Sequence, residues 1–139
     1  MDGNNRWSKK NQLSKLKGYK AGVKNLLKIT DFLLNTNKVN YISAFALSKH
    51  NLKRPKSLIH ILKKILSEFL AKESELNTCK SYNIRFIGER NFLSKEINYQ
   101  IDEIEKIKKK SKKYLIIYLN YSGKFDIIQA AKKYKFSKN

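Results

Sequence analysis

The chain has 139 residues, 41% hydrophobic and 12% aromatic, with 31 lysines and arginines against 11 acidic residues for a formal net charge of +20. That length suits one domain able to bury about two-thirds of its unfolded surface, and the apolar content excludes wholesale disorder. A single cysteine, Cys79, excludes an internal disulfide framework and fits a reducing compartment, and His50 and His60 alone make no zinc set.

In chain order, the opening MDGNNRWSKK reads as a polar turn over Asp2 to Trp7, of residue types that would grip a phosphate. YKAGVKNLLKITDFLLNT places Val23, Leu26, Leu27, Thr30, Leu33 and Leu34 at helical spacing. VNYISAFAL is short, apolar, and partly β-branched or aromatic, which predicts a buried strand. A second helix follows Pro55, carrying Leu58, Ile61, Leu62, Ile65, Leu66 and Phe69 on one face. YNIRFIG predicts a second strand ending on Gly88, LSKEINYQIDEIEKIKKK an amphipathic helix, KYLIIYLN a third strand and GKFDIIQAAKKYK a last helix.

Strands alternating with helices predict an α/β fold: a parallel sheet with right-handed crossovers and helices on both faces, in one domain over residues 1–139. Ligands of such sheets sit beyond the carboxyl ends of the strands, here Ser48 to Arg54, Gly88 to Phe92 and Asn120 to Lys124. The longest apolar stretch is broken by Lys63, Lys64 and Glu68, and nothing resembles a signal peptide. The expectation is a cytoplasmic protein, soluble or peripheral at a membrane.

The charge has several readings. Only Arg6, Arg54, Arg85 and Arg90 are arginines, and lysine, asparagine and isoleucine are abundant together, as in an AT-rich genome. An anionic membrane surface or a polyanion are the other sources. The densest run, Lys106 to Lys113, carries no interleaved aromatics, which speaks against a nucleic-acid platform and for a solvated helix end.

The strand exits offer hydroxyls, amides and cations (Ser48, Asn51, Lys53 and Arg54 among them) but no Ser-His-Asp set, paired carboxylates, Walker loop or G-x-G-x-x-G. What remains suits a diphosphate held by backbone N–H groups and arginine, with Asp2 on a hard divalent cation.

Four segments carry a family resemblance. MDGNNRWSKK resembles the M-D-G-N-G-R-W-A motif of the cis-prenyltransferases, which include undecaprenyl diphosphate synthase. FALSKHNLKRP is similar to their Y-A-F-S-x-E-N-W-x-R-P segment, NIRFIGERNFL to V-R-(F/L)-I-G-D, and LNYSGKFDIIQAAKK to N-Y-G-G-R-x-(D/E)-I-x-x-A.

The resemblance implies an isoprenyl transferase that condenses an allylic diphosphate such as farnesyl diphosphate with isopentenyl diphosphate. It implies Mg2+ as cofactor and a homodimer. It assigns catalytic roles to Asp2, also the magnesium ligand, and to Asn51 as a positioning amide. Gly3, Asn4, Asn5 and Arg6 would line the allylic diphosphate with Trp7 packed beside it, and Ser48 and Arg54 would contact substrate. Lys49, His50 and Leu52 fall in the same segment as Ser48 and Arg54, and Lys15 and Tyr19 in KLKGY, which is similar to the family's R-x-x-G-H segment. The helices over residues 20–35 and 55–75 would flank an apolar tunnel, although their leucine stripes are equally explained as core.

The departures are Asn5 for glycine, Lys15 for arginine, Tyr19 for histidine, His50 for glutamate, Leu52 for tryptophan, Ser122 for glycine and Lys124 for arginine. The family's first strand, an H-x-A-I-I run, and its later R-T-(S/G)-G-E-x-R-x-S-N-F block have no counterpart here. The expectation is therefore an incomplete cis-prenyltransferase domain with impaired turnover; the alternative is a non-catalytic relative or subunit.

Overall fold

The computed structural model describes residues 2–76 and 81–136; Cys79 lies outside them. Its elements are α1 (Asn4–Lys10), α2 (Lys15–Asn35), β1 (Tyr41–Ser48), a 3-10 turn (Lys49–Lys53), α3 (Lys56–Leu76), β2 (Asn83–Ile87), α4 (Lys95–Lys106), β3 (Tyr114–Tyr121) and α5 (Gly123–Phe136). The strands are parallel in the order β1-β3-β2, with Tyr41 opposite Tyr114 and Asn83 opposite the same residue. Each strand begins within two residues of where its apolar run predicts it.

Alternation along β3 sends Leu115, Ile117 and Leu119 into the core with Ile84 and Phe86 of β2. Leu34 of α2, Phe69 and Leu70 of α3, and Ile97, Ile101 and Ile104 of α4 pack on that face. Each such side chain contributes about 1.5–3 kcal/mol by leaving water. The opposite face of β1 and β3 carries aromatics instead. Tyr41 stacks on Tyr114 with ring centroids 5.4 Å apart, and Phe45 stacks on Tyr118 at 5.8 Å. Tyr41 is 63% exposed and Phe45 44%.

Two elements differ from the sequence expectation. The opening is a seven-residue helix, α1, rather than a turn; among the described residues Asp2 and Gly3 precede it, Gly3 with φ +80°. Helix α4 stops at Lys106, four residues before its charge pattern does. The reason is the buried side chain of Asn83, whose Oδ1 accepts from the Lys109 N–H at 2.8 Å and whose Nδ2 donates to the Ser111 carbonyl at 2.8 Å. A buried amide satisfied by this backbone holds the lysine run in an extended path that a helix would destroy.

One buried polar contact ties α2 to the start of β2. The Tyr82 hydroxyl, in a residue 2% exposed, donates to Asp31 Oδ1 at 2.8 Å. Burial first, and then the Asp31 carboxylate, push this phenol well above its ordinary range.

Candidate functional site

The position of the opening motif is set by two glycines of α2. A Cβ at Gly18 would stand 2.5 Å from Ser8 Cβ and 2.9 Å from the Asn4 carbonyl; one at Gly22 would stand 2.5 Å from Asn4 Oδ1. Spaced four apart on one helix face, they form a flat strip on which α1 lies. Ser8 is fully buried there and donates its hydroxyl to the Asn5 carbonyl at 3.0 Å. The sequence reading missed this role, although the G-x-x-x-G spacing in KLKGYKAG carries the signal.

So placed, α1 and the residues before it form one wall of a cavity of about 680 Å³. Its polar lining comes from Asp2, Gly3, Asn4, Asn5 and Arg6 of the opening, Tyr19 of α2, and Asn51 and Arg54 of the loop after β1. The rest of its lining is mostly apolar, from Val23 and Leu26 of α2, Phe45 of β1, Leu58, Leu62, Leu66 and Phe69 of α3, Phe92, and Ile117 and Leu119 of β3, with one further cation, Lys63, whose Nζ lies 5.7 Å from the Phe92 ring centre. The leucine stripes of α2 and α3 thus serve both cavity and core. Leu34 and Leu70 are fully buried beyond it, while Leu26 and Leu62 line it.

Asp2 is the lone carboxylate on the rim, accepting from the Gly3 N–H at Oδ1 (2.6 Å) and from Arg6 Nη2 at Oδ2 (3.3 Å). Both side chains are largely exposed, so this pair is a weak tether that a ligand can displace. Asn51 is set by the loop after β1. Ser48 caps the 3-10 turn, its Oγ accepting from the Asn51 N–H at 3.2 Å, and the Asn51 carbonyl accepts from the Arg54 N–H at 3.1 Å. Ser48 is therefore a brace for Asn51 here, outside the main cavity.

The remaining sequence candidates fall elsewhere. Lys49 and His50 join Ser48, Lys53, Tyr121 and Ser122 around a second, more open cavity of about 430 Å³ at the exits of β1 and β3. Lys49 Nζ pairs with Glu89 at 2.8 Å and lies 3.0 Å from the Phe125 ring centre. Leu52 packs against the core, Trp7 is 47% exposed outside the cavity, and Lys15 is exposed at the start of α2. Phe92, at the end of a strand exit that the sequence singles out, and Ile117 and Leu119, which the sequence reading did not give as site residues, complete the cavity wall.

The exits of β2 and β3 are locked together behind the cavity. Gly88, at φ +128°, passes so near β3 that a Cβ would stand 1.8 Å from the Leu119 carbonyl oxygen. Next to it the Asn120 side chain donates to the Glu89 carbonyl at 3.2 Å.

Among the described residues no group of three His, Cys, Asp or Glu side chains could enclose a metal. The donor set fits a hard divalent ion only in one form, with Asp2 as a single protein ligand and the other positions filled by water and ligand phosphate oxygens.

A rim of amide, arginine and one aspartate over an apolar well is the form expected for an anionic head with a hydrocarbon tail. The family described as "Putative undecaprenyl diphosphate synthase" matches residues 1–139, and the chain belongs to that family. It is 33% identical over 134 residues to a ditrans,polycis-undecaprenyl-diphosphate synthase of Legionella pneumophila, covering 96% of this chain and 56% of that protein. It is 34% identical over 133 residues to dehydrodolichyl diphosphate synthase 4 of Arabidopsis thaliana, covering 95% of this chain and 46% of that one. The crystal structure of lavandulyl diphosphate synthase from Lavandula x intermedia, in complex with dimethylallyl diphosphate, superposes with a TM-score of 0.85 at 25% identity over 97% of this chain and 58% of that one. The chain thus spans about half the length of the relatives it matches.

Proposed function

We propose that this chain carries the allylic-diphosphate half of a magnesium-dependent cis-prenyltransferase site. The observation that carries the reading is the single cavity joining Asp2, Arg6, Asn51 and Arg54 to an apolar well. The diphosphate would lie on the rim, with Arg6 and Arg54 matching its charge and the Gly3 backbone open to close approach, and the prenyl tail would enter between α2 and α3. A volume of about 680 Å³ has room for a farnesyl-sized tail.

Magnesium, when bound, supplies charge neutralisation of the diphosphate leaving group, and Asp2 would hold it. The chain's own residues bind and orient. Asn51, braced by Ser48, lines the same cavity as Asp2, and a second, nucleophilic substrate such as isopentenyl diphosphate would approach there. An amide there positions that substrate rather than removing its proton. Arg6, Arg54 and Lys63 are the cations lining the cavity, a set that suits one diphosphate, so this chain by itself is expected to bind the allylic substrate and not to elongate it.

The test is calorimetric titration with farnesyl diphosphate and magnesium, followed by incubation with labelled isopentenyl diphosphate and extraction of lipid product. Binding that weakens about tenfold or more in Asp2→Ala and Arg54→Ala supports the reading. Equal binding by the wild-type chain and both variants would sink it. Lipid product from the chain alone, abolished by Asp2→Ala, would show that these residues suffice for turnover.

A further inference from the structure

We infer that Lys63 is a specificity-determining residue of the cavity: its ammonium, set in an otherwise apolar stretch of the lining, makes the site favour allylic diphosphates with short prenyl tails. This rests on the reading of the cavity as an allylic-diphosphate site, and adds what limits the tail.

Helix α3 lines the cavity mainly with apolar side chains, Leu58, Leu62, Leu66 and Phe69 among them. Among the described residues, Lys63 is the one charged side chain that α3 contributes to it. It follows Ile59 by four residues and precedes Leu66 by three, and both of these also line the cavity, so the three share one line along the helix. The two arginines have a different setting. Arg6 stands in α1 with Asn4 and Asn5, and Arg54 ends the turn that holds Asn51. About 10 Å of helix, two turns, separate Lys63 from Lys56 at the start of α3, just after Arg54 in the chain.

The fold leaves this ammonium without a counter-charge. Lys63 is half-buried, and among the described residues no carboxylate pairs with it and no acceptor takes a hydrogen bond from it. The Phe92 ring centre at 5.7 Å is near the limit of a cation–π contact. Elsewhere half-buried lysines are paired, Lys20 with Glu68 at 2.7 Å and Lys49 with Glu89 at 2.8 Å. The three N–H donors of Lys63 therefore depend on water. A prenyl tail that reaches them displaces that water, or drives the side chain out of the cavity and loses the contacts of its aliphatic stem. A tail too short to reach Lys63 escapes both costs. A volume of about 680 Å³ has room for a farnesyl-sized tail, so charge rather than space does the discriminating.

The test is calorimetric titration of the 139-residue chain, Lys63→Met and Lys63→Arg with inorganic, dimethylallyl, geranyl and farnesyl diphosphate in the presence of magnesium. Methionine keeps the straight stem and the helix propensity and removes the ammonium, whereas arginine keeps the charge. The ratio of farnesyl to dimethylallyl affinity should be about tenfold higher in Lys63→Met than in the wild type, and should stay at the wild-type value in Lys63→Arg. An equal ratio in Lys63→Met and the wild type overturns the inference. That includes the case in which every tail length weakens alike because Lys63 holds the diphosphate. A ratio raised equally in Lys63→Arg also overturns it, since charge is then not the cause. If no tailed diphosphate binds better than inorganic diphosphate, the allylic site itself fails and the role of Lys63 with it. If the tailed diphosphates bind and the ratio does not move, the site stands and only the role of Lys63 falls.

Discussion

Gly22 lies directly beneath the side chain of Asn4, so close that a β-carbon on it would stand 2.5 Å from Asn4 Oδ1; four residues earlier Gly18 meets Ser8 Cβ at the same distance. The two contacts differ in what can yield. At Gly22 the obstacle is the end of a short side chain, whereas at Gly18 it is Ser8 Cβ and the Asn4 carbonyl. Gly22→Ala should therefore displace the rim amide and weaken farnesyl diphosphate binding several-fold, with stability changed by less than about 1 kcal/mol. Gly18→Ala should force α1 off α2 and lower stability by about 1–3 kcal/mol, with binding lost as a consequence. Urea unfolding alongside calorimetric titration distinguishes the two.

This relationship also marks where the sequence stops being legible. The strands and the long helices could be read because their apolar periodicity is local: Leu115, Ile117 and Leu119 announce a strand without any partner. Asp2, Arg6, Asn51 and Arg54 were legible as a set through motif order, since neither end of the chain shows that the other is its neighbour. Gly18 and Gly22 were overlooked: their four-residue spacing marks a flat strip on a helix, but which element lies on that strip is set by the fold and not by the spacing. The end of α4 was missed for a similar reason. Asn83, over twenty residues earlier, takes the Lys109 N–H and the Ser111 carbonyl, and no helical pattern within residues 93–110 records that competition. The aromatic face was misleading in the other direction: unbroken apolar strands predict burial on both sides, and in this chain Tyr41 and Phe45 are exposed.

Asp2 provides a second prediction. If its carboxylate is the protein's hold on magnesium, removing the metal should weaken farnesyl diphosphate binding by the wild-type chain. The same removal should have almost no further effect on Asp2→Ala. In the double cycle of variant against metal, an interaction energy of about 1–3 kcal/mol is expected. Additive losses would place the ion elsewhere. Arg54→Lys is the companion variant: it keeps the charge and loses the planar fork, so binding should fall less than in Arg54→Ala but measurably.

Gly88 provides a test of the scaffold behind the cavity. Its φ of +128° is a conformation that side-chain-bearing residues rarely adopt, and a Cβ would stand 1.8 Å from the Leu119 carbonyl oxygen, part of the cavity wall. Backbone strain and the clash act together, because the obstructing atom belongs to the central strand and cannot swing aside. Gly88→Ala should cost about 3 kcal/mol or more, larger than either α2 glycine substitution, and lower the urea midpoint accordingly. A midpoint within experimental error of the wild type would show that the β2 and β3 exits are not packed as described.

Tyr82 carries the pH prediction. Its phenol is held protonated in the fold chiefly by burial and then by donating to Asp31, so the folded group loses its proton at higher pH than the unfolded one. A pKa raised on folding means that the native state binds the proton more tightly. Its contribution is therefore complete below the unfolded value of about 10 and declines as pH rises above it. Tyr82→Phe removes both the hydrogen bond and the titration. At about pH 8 the variant should be less stable by about 1 kcal/mol. As pH rises past about 10, the wild type should lose this advantage while the variant lacks that component of the decline, so the two stability curves converge. Lysine titration contributes to both proteins alike and cancels in the difference. Parallel curves from about pH 8 to about pH 11 would mean that Tyr82 is not held as a buried donor to Asp31.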